Sequence, residues 1–186
     1  MFVLEGEKIY LKEFLQENLN DPNYFKWLRD YDVVKNIGHL EYLMPLQFTE
    51  VEKYFMDLTD SKNDSFFAVF FKENNTFIGT LKIGHINWRT GVADIGIMIG
   101  EKKYRGKGLS QDIIKIGCDY AFKKLSMRKI TAGTASGNIA MCKCFERVGF
   151  KKEGIIRGQV LIEGVYEDHI LYGLFPNEFY NGGIEL

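Results

Sequence analysis

The sequence predicts a mixed α/β domain built on a central sheet that is mostly antiparallel and carries one parallel, splayed pair of strands. Three observations lead there. Strand-length apolar runs fall at 65–72, 77–86 and 92–99 and are joined by short turn sequences, as in an antiparallel meander. A helical pattern over 109–125 then separates the third run from a strand at 127–134, and such a strand–helix–strand unit makes a parallel crossover. With 186 residues, 46% of them hydrophobic and 26% charged, the chain can bury a substantial core as one domain spanning 1–186.

Taken in order, residues 3–12 alternate well enough for a first strand or hairpin arm. Asp21 followed by Pro22 reads as an N-cap and first-turn pair opening a helix over 21–34. Thr49 and Glu52 have the spacing of a capping box at the head of a second helix, 49–58. The connection between them, 38–48, is expected to form a flap. Glu73 to Thr76 and Trp88 to Gly91 are the turns of the meander. Leu109, Ile113, Ile116, Tyr120 and Ala121 sit at helical spacing after it. A helix over 138–148 is stopped by Gly149. Two further strands, 158–162 and 166–174, flank a turn at Glu163 and Gly164, and 181–186 are expected to fray.

The formal net charge of −1 gives no global electrostatic case for nucleic acid or an anionic membrane. The first residues meet Glu5 early and have no cationic start, so a signal peptide is not expected. No apolar run approaches a membrane span, and a cytoplasmic location is the expectation. Cys118, Cys142 and Cys144 are odd in number and read as reduced packing thiols. The histidines, His39, His85 and His169, are scattered, so no metal site is expected.

The stretch Lys103-Tyr104-Arg105-Gly106-Lys107-Gly108-Leu109 stands where the strand pattern gives way to the helix pattern. A helix starting there exposes free N–H groups and the positive end of its dipole. Two glycines let the backbone approach a ligand and adopt φ > 0, and three cations surround the turn. A phosphate or pyrophosphate fits it. The spacing matches neither a Walker loop nor a dinucleotide fingerprint. Taken alone, the stretch reads equally as a tight turn with solvated cations.

Downstream, Ser136 to Phe150 places Asn138 at a helix start and Glu146-Arg147-x-Gly149-Phe150 at its end. Together with K-x-x-G-x-G at 103–108, this resembles the GNAT superfamily of acyl-CoA-dependent N-acetyltransferases along nearly all of the chain. The strand at 91–96, Gly154 to Arg157 and Gly164 to Asp168 resemble the branch that acetylates ribosomal-protein N-termini (RimJ/RimL-like), which also contains amino-sugar and antibiotic acetyltransferases. The resemblance implies the GNAT fold, with acetyl-CoA held by the splayed pair. It implies a pyrophosphate site at Lys103, Tyr104, Arg105, Gly106, Lys107, Gly108, Leu109 and Ser110. It also implies pantetheine contacts to the backbone near Ile97, Met98 and Ile99, a catalytic-site contact from Asn138, and Lys143 within reach of the cofactor. Family members are often dimers, so a homodimer is the assembly implied, and no interface is legible.

For the chemistry, an ammonium acceptor must lose a proton and a carbonyl must be polarised. Asp94 is the candidate base, with His85 as the alternative, and a plain cross-sheet ion pair is the competing reading of Asp94. Phe145 and Met141 stand where the resemblance implies a hydroxyl that protonates the leaving thiolate, and neither has one; either the thiolate leaves unassisted, or a water or a nearby hydroxyl such as Ser136 serves. The acceptor pocket is expected from His39, Tyr42, Trp88, Arg89, Tyr166 and Asp168. The implied activity is acetyl transfer to a small amine, an amino sugar or a protein N-terminus. The alternative is an acyl-CoA-binding regulatory module with little turnover.

Overall fold

In the computed structural model of the chain, residues 3–37 and 46–182 are described. The order of elements is β1 (Val3–Glu5), β2 (Ile9–Glu13), α1 (Gln16–Leu19), α2 (Pro22–Leu28), α3 (Tyr31–Val34), α4 (Phe48–Asp60), β3 (Ser65–Phe71), β4 (Thr76–Asn87), β5 (Val92–Ile99), α5 (Leu109–Lys123), β6 (Lys129–Ala135), α6 (Ile139–Val148), β7 (Lys151–Ile162), β8 (Val165–Leu174) and α7 (Pro176–Tyr180). The strands form an eight-stranded sheet in the order β1-β2-β3-β4-β5-β6-β8-β7. All neighbours are antiparallel except β5 and β6.

That parallel pair makes the site. It is hydrogen-bonded only from Val92↔Lys129 to Asp94↔Thr131, so among the described residues no strand pairs with the rest of β5 on that side. β6 meanwhile continues as a partner of β8 up to Ala135↔His169. The sheet is thus forked from Asp94 onward.

Alternation along the strands builds two cores. Ile95, Ile97 and Ile99 point to the face covered by α5 and α6, together with Leu81, Ile83, Ile130, Ile170 and Tyr172. Met98 points to the other face, where Tyr24, Trp27, Leu28, Val33 and Val51 of α2, α3 and α4 pack. Aromatic rings fill this second core: Tyr24, Phe66 and Phe77 pack around Phe14, with Phe14–Phe66 centroids 4.6 Å apart, and Tyr24 also meets Phe77.

Several expectations need correction. The helix expected over 21–34 is two helices, because Asp30 caps a new one by accepting from Asp32 N–H at 3.0 Å. The capping box of α4 is Gln47 and Glu50, not Thr49 and Glu52: Glu50 Oε2 accepts from Gln47 N–H at 2.7 Å. The starting strand at 3–12 is a hairpin of two strands. β7 starts at Lys151, well before the expected 158. The short helices α1 and α7 were not anticipated. Residues 38–45 of the expected flap and 183–186 of the expected fraying tail lie outside the described residues. Asp21 does cap α2, accepting from Asn23 N–H at 2.8 Å. No helix among the described residues is long and apolar enough to cross a membrane.

Candidate active site

A cleft of about 500 Å³ runs through the fork between β5 and β6. On the α5–α6 face it is lined by Arg105, Gly106, Ser110, Ile114, Thr134, Asn138, Met141 and Phe145. On the other face it is lined by Tyr24, Leu28, Val33, Tyr54, Phe66, Thr80, Lys82 and Met98. Asp94 stands where the two halves meet, at the last paired position before the strands part.

Asp94 is held by its neighbour across the parallel pair: its Oδ2 accepts from Thr131 Oγ1 at 3.0 Å. Burial raises its pKa above the ordinary 3.8, while the Thr131 hydrogen bond and the fields of His85, His169 and Lys82 act the other way. His169 reaches this point from β8 across Gly133, where a Cβ would strike its imidazole. His85 follows Gly84, the β4 partner of Asp94, at an irregularity in the ladder where it takes φ 52°. Non-glycine residues held in that region carry strain and concentrate at functional sites. Lys82 Nζ lies 3.1 Å from Asp64 Oδ1 and over the ring of Tyr54. Burial, with the charge of Asp64 next, pushes Tyr54 up to about 12, so its hydroxyl stays protonated.

The turn before α5 has the shape a phosphate needs. Gly106 and Gly108 adopt φ 73° and 76°, and Gly108 is the N-cap of α5. Nothing lies within 4 Å of where a Cβ would stand at either, so both present open backbone. The leading N–H groups of α5 face outward at this start, as at any helix N-terminus. Residues Gly106 and Ser110 line the cleft directly.

The side chains of this stretch divide by role. Arg105 turns back, donating from Nε to Ile99 O and from Nη2 to Gly100 O, each at 3.0 Å, so it fastens the turn to the end of β5. Tyr104 is buried in the core with its hydroxyl on Asn74, and Leu109 is buried too. Lys103 and Lys107 stand over the Tyr104 ring at 5.2 and 5.4 Å, exposed beside the turn and outside the cleft lining. Lys143 is exposed on α6 and also outside it. Ile97, Met98 and Ile99 line the cleft along the unpartnered edge of β5.

Asn138 caps α6 through Oδ1, which accepts from Met141 N–H at 3.4 Å, and its Nδ2 donates to Thr134 Oγ1 at 3.1 Å. Phe145 and Met141 line the cleft from the same helix and carry no proton to give. Cys118 and Cys144 are buried, with burial pushing Cys118 well up and Cys144 to about 11; both are packing thiols.

Of the expected acceptor residues, His39 and Tyr42 lie outside the described residues. Trp88, Arg89, Tyr166 and Asp168 do not line the cleft. Trp88 Nε1 is turned onto Lys62 O and Asn63 Oδ1, Tyr166 is 72% exposed, and Asp168 Oδ1 accepts from Gly158 N–H. In their place the structure puts Tyr24, Tyr54, Phe66 and Lys82 against the cleft. Thr131 and His169, which hold and flank Asp94, were also missed. Alternation in 166–174 gives the face of His169, but its approach to Asp94 depends on β8 lying beside β6.

A chain with a forked sheet and a glycine-rich helix start can be matched to known proteins. The model of the acetyltransferase (GNAT) domain matches residues 9–151. The probable N-acetyltransferase YjcK of Bacillus subtilis (strain 168) is 32% identical over 183 residues, 95% of this chain and 99% of that protein. The putative ribosomal N-acetyltransferase YdaF of the same organism is 26% identical over 106 residues, 57% of each chain. The fold also matches a crystal structure of spermidine N-acetyltransferase from Vibrio cholerae in complex with CoA and spermine, with a TM-score of 0.81 at 20% identity, covering 92% of this chain and 98% of that one. The chain belongs to the acetyltransferase (GNAT) domain family.

Proposed function

We propose that the protein transfers the acetyl group of acetyl-CoA to a primary amine within a ternary complex, with the donor on the α5–α6 side of the fork and the acceptor on the α2–α4 side. The observation that carries this is the position of Asp94, a carboxylate at the point where the two halves of the cleft meet. Acetyl-CoA supplies a thioester, an acyl group already activated toward an amine.

The residues of the chain divide the remaining work. Gly106 and Gly108 leave room for a pyrophosphate against the start of α5, and the free edge of β5 offers backbone groups to an extended arm. N–H groups on that edge near Met98 and Ile99 are placed to polarise a carbonyl oxygen without a side chain. Asp94 binds the acceptor ammonium and accepts its proton. Burial strengthens it as a base, and Thr131 fixes its orientation. The departing sulfur leaves as a thiolate, since a thiol of pKa about 8.5 is a fair leaving group unaided, and the second proton shed by the nitrogen as the amide forms goes to that thiolate or to water. The acceptors left open are a small amine, an amino sugar or a protein N-terminus, and the partial likeness to a ribosomal N-acetyltransferase supports the last.

A second reading, an acyl-CoA-binding module with little turnover, is favoured by one feature: Phe145 and Met141 occupy the cleft wall without a proton donor. One experiment separates them. Melting temperature is measured with CoA, acetyl-CoA, ATP and NADPH, and thiol release from acetyl-CoA is followed over a panel of amines. Saturating ligand at a hundred times its Kd adds about 2.7 kcal/mol. Stabilisation by CoA and acetyl-CoA alone, with amine-dependent thiol release, is the expected result. Stabilisation without release over the whole panel favours the module, and no stabilisation by either thioester or thiol removes the cofactor reading.

A further inference from the structure

Thr134 on β6 is 4% exposed, lines the cleft and has no part in the chemistry described so far. It alternates with Ile130 and Ala132, which belong to the core under α5 and α6, so its side chain faces the donor half. The strand register sets its height. Asp94 pairs with Thr131, so Thr134 lies three residues past the fork, about 10 Å further along β6. By the same count it stands level with Ile97 on the free edge of β5. A pyrophosphate at the start of α5 lies beyond the end of β5. An extended arm that brings an acyl group from there to Asp94 passes the level of Thr134 close to its reactive end.

The direction of its hydroxyl follows from the cap of α6. Asn138 Oδ1 is committed to Met141 N–H at 3.4 Å, which fixes the amide the other way at its far end, and Nδ2 donates to Thr134 Oγ1 at 3.1 Å. A threonine hydroxyl carries two lone pairs and one hydrogen. Asn138 takes a lone pair, and among the described residues no group accepts the hydrogen, which is left for the cleft. The competing hydroxyls have other places. Ser110 lines the same half but sits in the first turn of α5, at the pyrophosphate end. Thr131 spends its hydrogen on Asp94, and Ser136, the candidate by sequence, does not line the cleft.

Resting on the acetyl-transfer reading above, we propose that Thr134 donates a hydrogen bond to the thioester sulfur as the C–S bond breaks, and that Asn138 positions it to do so. The acceptor nitrogen forms the new C–N bond and the sulfur departs with the bonding pair. Thr134 keeps its own proton, so it stabilises the thiolate without protonating it. The first proton of the nitrogen goes to Asp94, and the second to the thiolate or to water. A hydrogen bond strengthens when its acceptor becomes charged, so this contact is stronger in the transition state than with the intact thioester. It provides from β6 what Phe145 and Met141 on α6 do not.

The test reads the thiol itself and needs no acceptor. CoA bound to the protein is titrated through the ultraviolet band of its thiolate, with the desulfo-CoA complex as the reference. In the wild-type protein the bound thiol should ionise below the ordinary value of about 8.5. Thr134→Val keeps the outline of the side chain and removes the hydroxyl, so it should raise that midpoint by about one unit, while Thr134→Ser should hold it near the wild-type value. Desulfo-CoA, which has no sulfur to contact, should bind all three proteins with the same Kd. Midpoints that coincide in wild type and Thr134→Val overturn the proposal. So does a loss of desulfo-CoA affinity in Thr134→Val as large as its loss for CoA, which would make Thr134 a wall of the cleft and no more. If CoA binds to none of the proteins, the cofactor reading fails first and takes the proposal with it; if CoA binds and only the midpoints fail to separate, the cofactor reading stands and the role of Thr134 falls.

Discussion

Burial raises the proton affinity of Asp94, and the shift acts on both rate and stability. As a base it must be ionised, so kcat/KM should fall on the acid side with an apparent pKa above the ordinary carboxylate value of 3.8. Asp94→Asn should lower kcat by about a hundredfold or more and remove that acid limb. For stability the sign is opposite. A folded-state pKa above the unfolded one means the ionised carboxylate costs stability once the pH has risen from 3.8 through the folded value. Asp94→Asn should therefore melt higher than wild type at pH 7, with the difference vanishing below the unfolded pKa. A variant that is both inactive and less stable at pH 7 would make Asp94 a structural ion-pair residue. The sequence offered Asp94 as a carboxylate on a strand. It did not offer Thr131 or His169, whose proximity depends on strand order and not on spacing along the chain.

At the scale of the elements, α5 depends on how it starts. Gly108 caps it at φ 76°, a conformation that costs an L-residue about 1–2 kcal/mol. Gly108→Ala should lower the melting temperature by a few degrees and weaken CoA binding more than it changes turnover at saturation, because the strain falls on the backbone proposed to receive the pyrophosphate. A variant whose KM for acetyl-CoA equals that of wild type would separate the turn from the cofactor. This start was legible, since the helical spacing of Leu109, Ile113, Ile116 and Tyr120 begins directly after the two glycines, although the stretch alone read equally as a tight turn with solvated cations. The start of α4 was not. Gln47-x-x-Glu50 and Thr49-x-x-Glu52 are both capping patterns, and the earlier one forms because Phe48 packs against Phe25, with ring centroids 5.5 Å apart, and draws the first turn into the core. The first part of β7, residues 151–157, was missed for the opposite reason. As the last strand of the sheet it is mostly exposed, it carries Gly154 and Gly158, and its ladder shifts twice, so its sequence shows no alternation.

Across the whole molecule, the fork was predictable in kind, because a helix between two strands forces a parallel pair into an otherwise antiparallel sheet. What spans the fork was not predictable, since it joins residues far apart in sequence. Glu163 at the tip of the β7–β8 hairpin meets Lys35 after α3 at 3.2 Å. Lys35 also pairs with Asp32 at 3.4 Å, and Asp32 with Lys102 beside the glycine turn at 3.1 Å. The Asp32 carboxyl is held below its usual range, first by the Lys102 hydrogen bond and then by the Lys102 charge and by Lys35. Four charges thus link the hairpin tip, the second core and the glycine turn at the mouth of the cleft. Such exposed pairs are screened by water and salt, so they add little to global stability. Their effect should lie in the relative placement of the three elements. Lys35→Met should melt close to wild type yet show a raised KM for acetyl-CoA with kcat nearly unchanged, because Asp94 and the reacting atoms are not part of the chain of charges. Raising the salt should shift wild type toward the variant. The measurement is initial rate against acetyl-CoA concentration at low and high salt. If the variant instead melts several degrees lower with its KM unaltered, the charges hold the fold together and do not position the donor site.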